Sequence, residues 1–188
     1  DSGISPSRLS SGKLKQSEWE ALSQTANALM DAKIYINDSS LSTFENIQKN
    51  CHYLKMQDAV DIVMVDAWEL IAQNNQSEHN AIPGLLKQLA IELDLPILLL
   101  SSLNQAIVER ENKRPIIADI PSASEIDKHA DLVMFIYREG FYNPGTEEQA
   151  SAELIVAKHR KGPLVNIALD FLSDPFGFCA PYSDKSSH

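Results

Sequence analysis

Asp66 closes the run Asp61-Ile62-Val63-Met64-Val65-Asp66, in which four apolar residues, three of them Val or Ile, deliver a carboxylate to a strand end. A carboxylate in that place suits Mg²⁺ held beside a polyphosphate, although many core strands end in Asp for capping or solvation. The next apolar run, Ile97–Leu100, ends in Ser101, Ser102 and Asn104. Open α/β sheets bind ligands beyond the carboxyl ends of their strands, so polar residues at two neighbouring strand ends signal more than either alone. The plainer reading is that the serines end the strand and cap the next segment. Lys158-His159-Arg160-Lys161-Gly162-Pro163 places four basic or potentially basic residues at the end of a third run. Strand alternation puts Lys158 and Arg160 on one face and His159 on the other. Such a pair suits a polyphosphate, Arg by bidentate contact and Lys as a point charge, but a basic hairpin edge also guards against aggregation. Glu109–Pro115 is a mixed-charge stretch that reads as a solvated loop or as one that reaches phosphates.

Other chemistries find little support. His52, His79, His129, His159 and His188 show no metal-ligand spacing, and in Cys51-His52 the two side chains diverge by about 100° on a helix. There is no GxSxG, no dinucleotide fingerprint and no GxxxxGK[ST]. With 16 basic against 26 acidic residues and a formal charge of −10, a broad basic face for coating nucleic acid is not expected, whereas a local basic strip is compatible. Cys51 and Cys179 read as buried or idle thiols of a reducing compartment. No apolar run reaches the roughly 18 residues of a membrane span, so no membrane association and a cytoplasmic location are expected.

The elements that would position these residues emerge from periodicity. Ser17 with Glu20, Ser42 with Glu45 and Ser122 with Glu125 have the spacing of capping boxes. Trp19, Leu22, Ala26 and Leu29 make an amphipathic helix behind the first, and Phe44, Ile47, Cys51 and Leu54 predict a helix over 42–55 behind the second. Ile82, Leu85, Leu86, Leu89, Ala90 and Leu93 predict a helix from about Ile82 to Leu93 lying on the sheet. Strands are expected at Lys33–Ile36, Ile62–Val65 and Ile97–Leu100, parallel because helices alternate with them. Leu132–Tyr137, Leu154–Ala157 and Val165–Phe171, separated by turn residues, should finish the sheet with antiparallel hairpins. At 44% hydrophobic, 188 residues can bury one core; a partial domain over 1–182 and a disordered tail over 183–188 are expected.

Taken in order, these segments resemble a known family. Ser7-Arg8-Leu9-Ser10-Ser11-Gly12-Lys13-Leu14, Trp19 with Leu22, Ile34-Tyr35-Ile36-Asn37-Asp38, the strand to Asp66, Leu89–Ile97, Leu103-Asn104, Lys113-Arg114-Pro115, Asp131–Arg138, Tyr142-Asn143-Pro144 and Ala157–Pro163 are similar to the C-terminal RecA-like ATPase domain of DnaB-type replicative DNA helicases. The resemblance is collinear over nearly the whole chain. It implies an α/β fold with a mostly parallel sheet flanked by helices, antiparallel hairpins at its C-terminal edge and an incomplete N-terminus. It implies that Asp66 holds Mg²⁺ through water, and that Lys158 and Arg160 are the trans-acting finger reaching a neighbour's ATP. Ser102 and Gln105 fall on nucleotide-sensing positions, and Arg110, Lys113, Arg114 and Ser122 on DNA-contacting ones. The implied partners are single-stranded DNA, a homo-hexamer of the parent protein, a primase and a helicase loader.

The departures are specific. The phosphate-binding lysine and catalytic glutamate of the family would precede Asp1, so the chain, which starts without Met, reads as a fragment that alone is inactive and binds no ATP or Mg²⁺. Ser102 stands where Gln is usual and Gln105 where Arg is usual; Ala67-Trp68-Glu69-Leu70 replaces a Tyr-Leu-Gln-Leu type of sequence. Asp119-Ile120-Pro121-Ser122-Ala123-Ser124 replaces Asp-Leu-Arg-Glu-Ser-Gly, losing a charge and a backbone donor at Pro121. Ile82-Pro83-Gly84 is unusual inside a helix. Two readings result: a fragment of a working ATP-dependent helicase, or of a catalytically impaired paralogue that binds DNA or serves assembly. A recombinase or clock-type ATPase of the same fold is a third reading that the basic segment disfavours.

Overall fold

A computed structural model describes residues 2–38, 43–71, 76–173 and 176–181, with the side chains of 76–79 excepted. The element order is α1 (Pro6–Ser11), α2 (Gln16–Asp31), α3 (Phe44–Met56), β1 (Val63–Val65), α4 (Gln76–Leu93), β2 (Ile97–Leu99), α5 (Ala123–His129), β3 (Leu132–Arg138), α6 (Glu139–Tyr142), β4 (Ser151–His159), β5 (Asn166–Ser173) and β6 (Phe176–Cys179), with single 3-10 turns at Trp68–Leu70, Gln105–Val108 and Ile117–Asp119. The chain forms two compact units, one of Asp1–Tyr35, Ile136–Ile155 and Asn166–His188, the other of Ile36–Phe135 and Val156–Val165. The expected tail, 183–188, lies outside the described residues.

In the second unit, β1 and β2 pair in parallel, Val63 opposite Ile97, Met64 opposite Leu98 and Val65 opposite Leu99. Each strand is entered through the same device. Asp58 after α3 and Asp94 after α4 take left-handed backbone, φ 49 and 48, and the following residue donates back into the helix, Ala59 N–H to the Leu54 carbonyl and Leu95 N–H to Ala90. Aspartate tolerates this conformation better than most side chains, which explains two sharp helix ends without glycine. The core between helices and strands consists of Cys51, Leu89, Leu93 and Leu95, with Phe44, Ile47, Val60, Val63 and Ile97 packed against it. Burial pushes the Cys51 thiol up, and both cysteines are free, Cys179 at the surface.

Helix α4 begins at Gln76, before the expected Ile82, so Pro83 sits inside it and removes one backbone donor. Ile82, Leu86, Leu89 and Leu93 are buried as the stripe predicts. Gly84 lets α5 approach: a Cβ there would stand 3.1 Å from His129 Nε2. The stretch 102–122 is held by one buried anion. Asp119 accepts from Arg110 Nη1 at 3.0 Å and Nη2 at 2.9 Å and from Ile116 N–H at 2.8 Å, while its carbonyl accepts Asn104 N–H at 2.8 Å.

In the first unit, β4 and β5 pair antiparallel, Ser151 opposite Asp170 to Ile155 opposite Asn166, and β6 adds to β5, Asp170 opposite Cys179. The sheet runs β3-β4-β5-β6. Phe171 stacks edge-on against Phe176, and the Arg138 guanidinium lies 3.2 Å above its ring, a cation–π contact. Arg8 pairs with Glu18 at 2.7 Å.

Several expectations are corrected. Lys33–Ile36 forms no strand; Ile34, Tyr35 and Ile36 are exposed, since a β-branched run becomes a strand only where a neighbour completes its hydrogen bonds. Among the described residues the parallel pairing is the single pair β1–β2, and the hairpin sheet is the larger one. Neither of the two expected capping boxes that fall within the described residues forms as spaced. Helix α2 starts at Gln16, with Glu18 accepting Lys15 N–H at 2.7 Å; Ser42 lies outside the described residues and Thr43 caps α3 by accepting Asn46 N–H; Ser122 is left-handed, φ 53, without a side-chain cap bond. The stripe of α2 exists, yet none of its residues is buried. Glu139–Tyr142 is a helical turn inside the expected turn cluster.

Two measurable outcomes arise from this packing. Leu89→Ala should lower stability by about 3 kcal/mol, read as a shift of the urea midpoint at unchanged slope. Burial pushes the Asp119 carboxyl up, but the Arg110 hydrogen bonds, the Ile116 N–H and the guanidinium charge outweigh it and hold the carboxyl below the usual aspartate range. A depressed folded-state value adds stability that is complete above the unfolded value, about 3.9, and is lost as pH falls through the folded one. Asp119→Asn should therefore cost about 1–2 kcal/mol at pH 7, discounted because Arg110 is partly open to solvent, and should remove part of the stability loss that the natural chain shows below about pH 4; chemical denaturation from pH 7 to 2.5 measures both.

Candidate functional site

The edge at the carboxyl ends of β1 and β2 is built by two backbone bonds. Leu100 N–H donates to the Val65 carbonyl at 2.9 Å, and Trp68 N–H reaches the Leu100 carbonyl at 3.5 Å. Between them the chain reverses at Ala67, whose backbone is left-handed, φ 55 and ψ 58. That conformation costs a non-glycine residue about 1 kcal/mol, and the fully buried Trp68 side chain anchors it. Asp66 is left exposed at the tip of β1.

Glu69 crosses from this turn to the other strand end. Its Oε1 accepts from Ser101 Oγ at 2.7 Å, Ser102 N–H at 2.8 Å and Ser102 Oγ at 3.0 Å. Burial pushes the Glu69 carboxyl up; the Ser101 hydroxyl, backbone N–H groups and the Ser102 hydroxyl outweigh it and leave the group below its ordinary range. The two expected strand-end groups, Asp66 and Ser101-Ser102, thus occupy one sheet edge, joined by a residue that spacing alone did not single out. Its position three residues beyond Asp66, directly after a buried Trp, is a signal that could have found it.

As a Mg²⁺ site this edge offers one exposed carboxylate, Asp66. Mg²⁺ keeps several waters and takes one or two carboxylates plus substrate phosphates, so a single Asp fits an ion held mainly by water and phosphate. Among the described residues no three His, Cys, Asp or Glu side chains gather as a self-sufficient metal cage.

On the loop beyond β2, the exposed Gln105 opens the 3-10 turn after Asn104, which buries Ile107. Arg110 is folded into its own loop: besides Asp119 it donates to the Asn112 carbonyl at 2.6 Å and the Arg114 carbonyl at 2.7 Å. Lys113 is half-buried and Arg114 exposed on the same loop. The Ser122 hydroxyl donates to Asn80 Oδ1 at 3.0 Å, tying the loop's end to α4.

The basic segment lies against the carboxyl end of α5. Lys158 Nζ donates to the Asp127 carbonyl and stands 3.2 Å from Asp127 Oδ1. Arg160 Nη2 donates to the Lys128 carbonyl at 2.5 Å, Arg160 Nη1 is 3.6 Å from Asp131 Oδ1, and Arg160 N–H donates to the Asp131 carbonyl at 2.9 Å. The last carbonyls of a helix lack intrahelical donors and carry the negative end of its dipole, so cations are favoured there. Lys158 and Arg160 therefore share one side as alternation predicts, while the His159 ring folds over the turn at Gly162, where a Cβ would collide with it at 2.3 Å. From α4, Lys87 Nζ reaches Asp131 Oδ2 at 2.5 Å. Lys87, Asp127 and Asp131 were not singled out by spacing; they are brought in by packing.

Comparison with known proteins identifies the family of the chain. The model of the DnaB-like helicase C-terminal domain matches residues 1–179. The replicative DNA helicase DnaB of Geobacillus stearothermophilus is 33% identical over 180 residues, covering 93% of this chain and 40% of the relative, and the replicative DNA helicase DnaC of Bacillus subtilis is 31% identical over the same shares. The chain thus spans about 40% of the length of these curated relatives. Among solved structures, one ATPase domain superposes with a TM-score of 0.88 at 26% identity, over 96% of this chain and 66% of that one. A DnaB-like replicative helicase, solved in a study of its interactions with primase, gives 0.88 at 25% identity over 96% and 45%. No described helix is long and apolar enough to cross a membrane. By the extent of that match, the chain belongs to the DnaB-like helicase C-terminal domain family.

Proposed function

We propose that this chain is the C-terminal ATPase part, spanning 1–182, of a hexameric replicative DNA helicase that translocates on single-stranded DNA. The observation that carries the reading is the parallel β1–β2 pair, whose carboxyl ends both lead into polar residues, Asp66 after β1 and Ser101-Ser102 after β2, where an α/β sheet binds ligands. In this reading Asp66 holds Mg²⁺ through water, and the metal supplies charge neutralisation for the β- and γ-phosphates of ATP. Ser102 and Gln105 face the terminal phosphate. Lys158 and Arg160 serve the neighbouring subunit's nucleotide in trans, and Lys113, Arg114 and Ser122 face the DNA from a loop that Arg110 braces. A primase and a helicase loader are the further partners, and the compartment is the cytoplasm.

A second reading, an assembly or DNA-binding module without turnover, is favoured by one observation: the Ser102 N–H and hydroxyl both point to Glu69, and serine is too short to replace a longer sensing side chain without leaving that carboxylate.

In the full-length protein, Lys158→Ala combined with Arg160→Ala should lower kcat for DNA-stimulated ATP hydrolysis by about a thousandfold with little change in ATP KM. Steady-state ATPase assays with and without single-stranded DNA decide between the readings, since a wild type without turnover leaves only the module. The 188-residue chain alone should show no ATP binding by calorimetry, because a lone carboxylate and a trans-acting cation pair leave the phosphates without a backbone cradle; micromolar affinity would contradict this.

A further inference from the structure

Asp131 touches the basic segment in two independent ways. Its carbonyl accepts the Arg160 backbone N–H, and its carboxylate lies between the Arg160 guanidinium on one oxygen and the Lys87 ammonium on the other. Main chain and side-chain head of Arg160 are thus referred to the same residue, which sits between the end of α5 and the start of β3. Lys87 fixes the carboxylate from α4, a separate element. The Lys87 hydrogen bond, and beyond it the charges of Lys87, Arg160 and Lys161, outweigh the effect of burial and hold the Asp131 carboxyl below its ordinary range, so it is an anion at neutral pH.

The geometry leaves Arg160 with capacity to spare. A guanidinium carries five N–H donors in a rigid fork; contacts to the Lys128 carbonyl and Asp131 use its two terminal nitrogens from the helix side. Each terminal nitrogen retains a second hydrogen. An arginine gripped from behind in this way loses less conformational freedom when an oxyanion meets its open edge, which is how preorganisation raises a rate. Lys158 is held likewise by Asp127. Removing the anions would set Lys87, Lys158, Arg160 and Lys161 against one another with only helix carbonyls to neutralise them.

We propose that Asp131 is a positioning residue that orients Arg160, with Lys87 locking its carboxylate, so that the pair Lys158 and Arg160 is presented to a polyphosphate outside this chain. The inference rests on the trans-acting role assigned above. Its test uses Asp131→Asn, which preserves size, and Asp131→Glu, which preserves charge. In the full-length protein Asp131→Asn should lower kcat roughly tenfold to a hundredfold with ATP KM within about twofold, because nucleotide is bound by another subunit's residues, and Asp131→Glu should recover at least part of the loss. In the 188-residue chain, the Arg160 Nε–H resonance should show faster solvent exchange in Asp131→Asn than in wild type, with α5 and the rest of the amide spectrum unchanged. Unaltered kcat in an active protein, or unaltered Arg160 exchange, overturns the positioning role. A wild type that hydrolyses no ATP overturns the trans-acting role instead, and the exchange comparison still decides whether Asp131 orders Arg160. If Asp131→Asn fails to fold, Lys87→Met, which unlocks the carboxylate from α4, should produce the same faster Arg160 exchange, and its absence counts against the proposal.

Discussion

The candidate site depends on the parallel pairing of Val63–Val65 with Ile97–Leu99. Parallel strands cannot be joined by a tight turn, so α4 must cross between them and bury its apolar stripe on the way. Leu89, Leu93 and Leu95 do this together with Cys51 from α3. The consequence is functional as well as structural: two strands entering in the same direction leave in the same direction, and their polar carboxyl-end residues are delivered to one edge. An antiparallel pair would have sent Asp66 and Ser102 to opposite ends of the sheet. Both approaches to this pair use an aspartate in left-handed backbone, at Asp58 and Asp94, so strain accepted at two helix ends sets the direction of both strands.

Charge is organised locally. A chain of net charge −10 has anions in excess, and its prominent cations are held by them or by helix carbonyls: Arg110 by Asp119, Lys87 by Asp131, Lys158 by Asp127, Arg160 by Lys128 and Asp131. Surface pairs of this kind contribute little to stability individually, but they determine where a cation's unused donors point. That is the property a phosphate-binding arginine requires, and it explains how a basic pair can be presented by an acidic protein without a basic face.

Much of this was legible in the residues. The Ile62–Val65 and Ile97–Leu100 runs, the α4 stripe and the shared side of Lys158 and Arg160 all derive from local periodicity, because burial of an apolar face is what periodicity encodes. What escaped was non-local. Whether Lys33–Ile36 forms a strand depends on a partner strand, and nothing within the segment states one. Ser122 has the spacing of a cap, yet its hydroxyl goes to Asn80 on another helix, a competing partner that spacing cannot reveal. Asp127, Asp131 and Lys87 are ordinary charges in sequence; 44 residues separate Lys87 from Asp131, and only packing brings them together.

Glu69 shows how such non-local contacts change the meaning of a departure from a family pattern. Read singly, Ser102 is shorter than the Gln that the resemblance implies at a nucleotide-sensing position, and Glu69 in a Tyr-Leu-Gln-Leu type of segment adds a charge. In the fold the two substituted residues touch: the Glu69 carboxylate accepts both the N–H and the hydroxyl of Ser102, and the Ser101 hydroxyl as well. A carboxylate only accepts hydrogen bonds and a serine hydroxyl can donate one, so the acid at 69 and the serine at 102 are matched. The pair is better understood as one coupled replacement than as two lesions. It places a short hydroxyl backed by a fixed anion where the resemblance implies a long neutral side chain, and under the proposed function an anion held there opposes a further negative charge unless Mg²⁺ or a cation from outside the chain offsets it. In the proposed reading, a metal and cations from a neighbouring subunit would therefore offset that charge as well as stabilise a transition state.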